Sequence, residues 1–249
     1  MILFNKSKKY LLLSLVLFLS FFCFFESKPV KSQNPQTEVT LTWSTNTYTP
    51  PGYPGKALPT RGSEIEVVAN IDNPQATDIQ NLIFNWFING AIQKTALAQE
   101  GQIFKFNIGE SLTKKKTIKL EIKNKKGQSV AKPSFLIIKA RNSKIILKPK
   151  PPHYKTSDNI VRYEAKPNQK VVFTAKPYFF NIKKANELNY QWFLDKKLAE
   201  KKSSENPNIF TLNIGSISQN IQKELNLWAV NKNNKIQTAH SLAKILLES

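Results

Sequence analysis

The side chains that most often do chemistry in proteins are few in this sequence and far apart. It has two histidines, His153 and His240, and one cysteine, Cys23. The four aspartates stand singly along the chain, at Asp72, Asp78, Asp158 and Asp195. Metal sites and His-based triads need several such groups at matched positions, and calcium loops need alternating carboxylates. The sequence therefore predicts no metal site and no cofactor, and each histidine is interpreted as an ordinary surface or edge residue.

The motifs of the large enzyme classes are missing as well. With eight glycines, the chain has no phosphate-binding glycine loop and no nucleophile elbow around a serine. Two acids that meet across a cleft, as in glycoside hydrolysis, are the one catalytic arrangement that spacing leaves open. We therefore predict no catalytic residues and a protein that is not an enzyme.

Aromatic side chains suited to binding lie in the second half of the chain. Alternation places Phe193, Trp228 and Val230 on one outer sheet face, provided that their strands are neighbours. The second group is a run of three loop aromatics, Tyr178, Phe179 and Phe180. Exposed aromatic patches stack on sugar rings or dock partner proteins. We predict these six residues as a contact surface. In the alternative interpretation the first group is covered, and the loop folds back as a plug on the end of its domain.

The charge of the chain bears on its partners. The formal net charge is +20, and +16 without residues 1–32, which hold five lysines and one glutamate. Such a charge attracts anionic polymers such as DNA or acidic polysaccharide. Because arginine, the better phosphate ligand, is nearly absent, general lysine enrichment is the favoured explanation. An anionic polymer stays the alternative to an envelope protein or a glycan as partner.

The first 32 residues have the pattern of a targeting segment. Lys6, Lys8 and Lys9 form a basic head before an apolar run over residues 10–25. That run is shorter than the roughly 20 residues of a membrane helix, which favours a cleaved signal peptide, but bulky phenylalanines near its end favour an uncleaved membrane anchor. We predict export to the cell surface or the extracellular space, with cleavage left open.

An internal repeat is the strongest signal in the sequence. Trp86 recurs as Trp192, and the same offset of 106 relates residues 103–104 to 209–210 and 107–109 to 213–215. The repeat predicts two copies of one domain, at residues 37–140 and 142–249, joined by a short linker that makes a semi-rigid tandem. Near the end of each copy the offset is 107, so that Trp228 replaces Glu121 of copy one.

Within each copy the hydrophobic period is that of β-strands. Residues 82, 84, 86 and 88 are large and apolar, and residues 188, 190, 192 and 194 repeat them in copy two. Short alternating strands separated by turns predict an all-β fold, with two tandem antiparallel sandwiches after the N-terminal segment.

Two motifs carry a resemblance to a known family. Residues 117–129 (TIKLEIKNKKGQS) resemble the closing hairpin of PKD-type immunoglobulin-like domains, and residues 84–90 (FNWFING) resemble their aromatic-x-Trp strand and glycine turn. Copy two has Tyr190, Gln191 and Trp192 at that strand, but it has Asp195, Lys196 and Lys197 in place of the family's acidic glycine turn. The resemblance implies an Ig/PKD-like sandwich and a surface spacer, adhesive module or carbohydrate-associated domain. We therefore expect a binding or scaffolding module for adhesion or an extracellular assembly, with polyanion binding as the alternative.

Overall fold

The alternation predicted for the tryptophan strands is present in the structure. The computed structural model describes residues 37–72, 78–152, 154–157, 160–199 and 206–249. The predicted signal or anchor segment, residues 1–32, and His153 lie outside the described residues. Nearly every described element is a strand, and the strands form tandem immunoglobulin-like sandwiches, which confirms the predicted fold class.

The first sandwich has seven strands in two sheets. Its strands are β1 (Val39–Thr45), β2 (Glu64–Ile71), β3 (Leu82–Ile88), β4 (Ala91–Leu97), β5 (Ile103–Asn107), β6 (Lys115–Asn124) and β7 (Ser134–Lys139). One sheet has the order β1-β2-β5 and the other β4-β3-β6-β7, with antiparallel pairing throughout. A one-turn helix, α1 (Ala98–Gly101), links β4 to β5.

The second sandwich repeats this plan with two additional strands. Its strands are β8 (Lys144–Lys150), β9 (Tyr154–Ser157), β10 (Ile160–Ala165), β11 (Lys170–Tyr178), β12 (Leu188–Leu194), β13 (Lys197–Leu198), β14 (Ile209–Asn213), β15 (Ile221–Asn231) and β16 (Thr238–Leu247). One sheet has the order β14-β11-β8 and the other β13-β12-β15-β16-β10-β9. The additional strand β10 pairs with β16 in parallel, whereas the other strand pairs of this sandwich are antiparallel.

A buried tryptophan stands at the same place in each core. Trp86 and Trp192 stack on Phe104 and Phe210, and both pairs of ring centroids are 5.3 Å apart. Each indole Nε1 donates a hydrogen bond to a backbone carbonyl, Trp86 to Gly101 at 2.7 Å and Trp192 to Pro207 at 3.1 Å. The repeat therefore preserves the packing and the hydrogen bond of the tryptophan as well as its position.

Residues 37–249 form one compact unit, and both hydrophobic cores lie inside it. Ala140 belongs to the first core and Ile145 to the second. The domain limits at residues 140 and 142 stay a prediction. In the described part of the chain, no helix has the length and hydropathy needed to cross a bilayer.

Candidate binding surface

The strands that carry Phe193, Trp228 and Val230 are neighbours, as the prediction required. β12 pairs with β15 so that Gln191 lies opposite Trp228, and Phe193 lies two residue pairs further along, opposite Asn226. The inward residues of both strands are buried, so these side chains project from the outer face of the sheet. Trp228 is 46% exposed, whereas Phe193 and Val230 are half-buried. We call Phe193, Trp228, Val230 and their outer-face neighbours Gln191, Asn226 and His240 the Trp228 face.

His240 contributes to this face although sequence reasoning treated it as an ordinary residue. It lies opposite Trp228 on β16, and the two ring centroids are 4.6 Å apart. Asn226 lies 2.9 Å from His240 Nε2 through its Oδ1 and donates from Nδ2 to Glu224 Oε1 at 2.6 Å. The alternation of residues 238, 240 and 242 was the available signal, but using it required knowing that β16 pairs with β15.

Partial burial favours the neutral form of His240. Burial lowers the pKa of His240, and the negative charge of Glu224 partly opposes this shift. Because the Asn226 amide donates to Glu224, its oxygen faces His240, so the neutral imidazole carries its proton on Nε2. Glu224, Asn226 and His240 therefore form an ordered polar row that ends against the exposed indole.

The corresponding face of the first sandwich has a different chemistry. Glu121 and Lys123 occupy the positions of Trp228 and Val230, as the repeat predicts. Lys119 Nζ lies 2.7 Å from Glu121 Oε1 and 4.0 Å from the ring centroid of Phe87. The aromatic ring that the two copies share is thus covered by a lysine in the first sandwich, and a charged pair replaces the exposed indole.

The predicted loop aromatics, Tyr178, Phe179 and Phe180, are less exposed than Trp228. Phe180 is fully buried in the second core, Phe179 is nearly buried and Tyr178 is half-buried. Tyr48 of the first sandwich donates from its backbone N to the Phe180 carbonyl and accepts from Phe179 N, both at 2.7 Å. The Tyr53 ring makes edge contacts with Tyr178 and Phe179, at 5.5 and 5.9 Å between centroids.

These contacts join the two sandwiches, and we call them the aromatic seam (Tyr48, Tyr53, Tyr178, Phe179 and Phe180). The structure therefore does not bring the six predicted residues together. Three lie on the open Trp228 face, and three lie in the seam, where residues of the first sandwich cover them. Sequence reasoning had identified neither Tyr48 nor Tyr53 as a partner of the loop, because nothing local in the sequence pairs segments about 125 residues apart.

A buried polar cluster adds to the connection between the sandwiches. Gln237 donates from Nε2 to the Arg61 carbonyl at 2.6 Å, while its Oε1 accepts from Asn231 Nδ2 at 2.8 Å and from Asn181 N at 2.8 Å. Thr60 and Ser143 join their hydroxyls at 3.1 Å. Because buried polar groups are costly unless they are hydrogen-bonded, these bonds favour one fixed arrangement of the two sandwiches.

No group of three or more His, Cys, Asp and Glu side chains that could hold a metal ion occurs among the described residues. Two further side chains with shifted pKa values each have a hydrogen-bond partner within the fold. Asp195 accepts from Lys223 at 2.7 Å, and this hydrogen bond is the main reason that the pKa of Asp195 is lowered. Burial raises the pKa of Tyr190, whose hydroxyl donates to the Ala185 carbonyl.

Comparison with known proteins gives structural neighbours only. No protein-family model matches the chain, and no curated protein matches it. The central fibronectin-III array of RIM-binding protein is 12% identical, covering 89% of this chain and 72% of that one, with a TM-score of 0.28. Sidekick-1 immunoglobulin domains 1–5 are 11% identical, covering 82% of this chain and 38% of that one, with a TM-score of 0.31.

A third neighbour, extracellular domains 3–5 of Drosophila OTK, is 7% identical and covers 86% of this chain and 98% of that one, with a TM-score of 0.27. The chain spans less than half the length of the Sidekick-1 structure. The assignment of tandem immunoglobulin-like sandwiches follows from the strand order given above, and membership of the PKD family stays a prediction.

The aromatic seam yields a stability prediction. Tyr53→Ala removes two edge contacts, each worth about 0.5–1.5 kcal/mol beyond area burial, so the free energy of unfolding of residues 37–249 should fall by about 1–3 kcal/mol in urea. In this variant the backbone amide of Phe179 should exchange its hydrogen faster than in the original protein. Phe135→Ala, an exposed aromatic of the same sandwich, should change stability by less than about 0.5 kcal/mol. Unchanged Phe179 protection in Tyr53→Ala would show that the seam does not hold the loop.

Proposed function

We propose that this chain is a non-enzymatic, exported binding module of the cell envelope, whose tandem immunoglobulin-like sandwiches present a glycan-binding face. The contact site is the Trp228 face of the second sandwich. The observation that carries the proposal is an exposed tryptophan, 46% accessible, in the middle of an otherwise ordered sheet face. The first sandwich has Glu121 at this position, so the fold itself does not require the indole.

The chemistry of the Trp228 face suits a sugar chain. The indole offers a flat apolar surface for a pyranose ring, and aromatic groups that combine an apolar face with a polar edge are favoured at such interfaces. Gln191 lies directly opposite Trp228 on β12, and His240 lies opposite on β16. Their amide and imidazole groups can donate to and accept from sugar hydroxyls on either side of the ring.

The face is also ordered before any ligand arrives. Asn226 is held between Glu224 and His240, at 2.6 and 2.9 Å, and the strands beneath belong to a six-stranded sheet. Ordered side chains lose little conformational entropy on binding, so a modest contact area can give useful affinity. The aromatic seam and the short connection at residues 141–143 limit movement between the two sandwiches. The Trp228 face therefore has a fixed orientation relative to the first sandwich, which suits a surface module or scaffold.

Affinity electrophoresis in gels that contain soluble neutral polysaccharides tests the glycan proposal. A suitable panel is xylan, galactomannan, β-1,3-glucan, mixed-linkage β-glucan and starch. At least one polymer should retard the protein, and Trp228→Ala should weaken that binding at least about tenfold, as expected for a central aromatic anchor.

Ile92→Ala is the matched control, because it removes an exposed apolar side chain from the corresponding sheet of the first sandwich, away from β7. It should leave the retardation unchanged. Equal retardation of Trp228→Ala and the original protein, or none by any polymer, would contradict the proposal.

Polyanion binding is a second candidate function, and one observation favours it. Lys115 lies directly opposite Lys139 on neighbouring strands, and both side chains are exposed. Directly opposed like charges destabilise a sheet, and a bound anion would relieve this. The ion pairs in the described residues join Lys105 to Glu66, Lys119 to Glu121 and Lys223 to Asp195, and none includes this lysine pair.

Fluorescence anisotropy with a labelled DNA duplex at several salt concentrations tests this second function. The logarithm of the association constant should fall with the logarithm of salt concentration, with a slope of about −0.9 per neutralised phosphate. Lys115→Ala should make this slope less steep by the amount that corresponds to one phosphate contact. Lys105→Ala removes a lysine already paired with Glu66, so it should change the slope less. Absence of binding at low salt, or binding that salt does not weaken, would contradict a polyanion site.

A further inference from the structure

β7 of the first sandwich has an open edge. On one side it pairs with β6, and it ends its sheet on the other. The edge is closed at its two ends, where Ser134 Oγ donates to the Val39 carbonyl at 2.8 Å and Arg141 N donates to the Pro59 carbonyl at 2.7 Å. Between these points, over residues 135–139, no described residue hydrogen-bonds to that side of β7.

The second sandwich shows how the same edge is covered. There β10 lies along β16 in parallel, from Ile160 opposite Leu242 to Ala165 opposite Leu247. The repeat makes Phe135 and Ile137 the counterparts of Leu242 and Lys244, which are half-buried. Without a covering strand, Phe135 is 64% exposed and Ile137 is 60% exposed.

No described segment of the first sandwich supplies a strand for this edge. The segment equivalent to β10 is residues 54–59, and it begins and ends with proline, which has no N–H to donate to a ladder. Its Lys56 lies against β1 in the other sheet, with Nζ 3.6 Å from the ring centroid of Trp43. Proteins usually protect such edges with lysines, prolines, bulges or inward charges. In the open stretch the one such residue is Lys139, at its end, and residues 135–138 (FLII) are all apolar.

We propose that β7 is a self-association site, at which two copies of this chain pair their β7 strands in antiparallel orientation about a two-fold axis at Ile137. The open stretch of five residues fixes this register, because pairing centred elsewhere would run into the segments at Val39 or Pro59. Ile137 then lies opposite Ile137 of the second copy on the outer face, and Leu136 lies opposite Ile138 on the inner face. The pairing joins two four-stranded sheets into one of eight strands.

The end residues of the open stretch favour a second copy over an unrelated strand. Antiparallel pairing brings Phe135 opposite Lys139 of the second copy, at both ends of the contact. The same kind of lysine–aromatic pair occurs twice in this chain, for Lys56 with Trp43 and Lys119 with Phe87, and it is attractive. The two Lys139 residues would lie about 14 Å apart, beyond the screening length of about 8 Å at physiological ionic strength.

Self-association gives the assembly two ligand-binding faces without involving them in the contact. β7 belongs to the first sandwich, and the Trp228 face belongs to the second, so either proposal can fail without the other. Five paired residues per copy form a small interface, so weak, concentration-dependent dimerisation is expected. Two linked binding faces on an extended polymer would raise apparent affinity through effective concentration.

Sedimentation velocity on residues 37–249, which contain both cores, tests the proposal at concentrations from about 1 µM to 1 mM. The protein should dimerise, and Ile137→Lys should weaken dimerisation at least tenfold, because it places two like charges on the axis. Ile92→Lys is the matched control: the same residue type, 57% exposed, on the opposite edge strand β4. Circular dichroism should show both variants folded.

Cysteine cross-linking tests the register. Residues 37–249 contain no cysteine, and directly opposed residues in an antiparallel pair have Cα atoms about 4.5–5.5 Å apart, within disulfide range. Under mild oxidation Ile137→Cys should therefore form a covalent dimer, and Ile92→Cys should not. A protein that stays monomeric up to about 1 mM, equal effects of the two lysine variants, or failure of Ile137→Cys to cross-link would each overturn the proposal.

Discussion

The rest of the structure depends on one buried hydrogen-bonded group, the indole of the central tryptophan in each sandwich. An indole N–H removed from water must find an acceptor, since leaving it unpaired costs about 1–3 kcal/mol. Trp86 donates to the Gly101 carbonyl and Trp192 to the Pro207 carbonyl. In each domain, the residue that accepts this bond must therefore lie beside the indole; Gly101 follows β4, and Pro207 follows β13. Gly101 meets the need for close approach, because a Cβ there would lie 2.3 Å from the Phe84 ring.

The tryptophan packing constrains the inner sheet faces of both sandwiches, but it leaves the outer faces free to differ. The differences between the two outer faces are the basis for the proposed sites. The first sandwich has Glu121 and Lys119 where the second has Trp228 and Asn226. Among its described residues there is also no counterpart of β10, the strand that covers β16 in the second sandwich. These differences are the reason that we propose ligand contact for the second sandwich and self-association for the first. The aromatic seam joins the two sandwiches.

The repeat and the two-residue period were sufficient to predict the fold, because both are properties of neighbouring residues and of equal spacing. Leu82, Phe84 and Trp86 are buried as that period requires, and Trp228 is exposed on the predicted face. The sequence did not indicate which distant segments contact each other. The sequence left open whether the loop of Tyr178 to Phe180 is a contact surface or a plug, because its covering residues, Tyr48 and Tyr53, belong to the other copy. His240 and the parallel strand β10 were missed for the same reason, since each is defined by a neighbour that is distant in sequence.

Trp86 and Trp192 are buried structural residues, whereas Trp228 lies on an open face. Hydrogen exchange of the indole N–H groups, followed by NMR on protein labelled at tryptophan nitrogen, tests this difference without a known ligand. Trp86 and Trp192 should exchange only through opening of their sandwiches, and Trp228 should exchange at nearly the rate of a free indole. A Trp228 indole as protected as the two core indoles would mean that this face is covered, and would contradict the account.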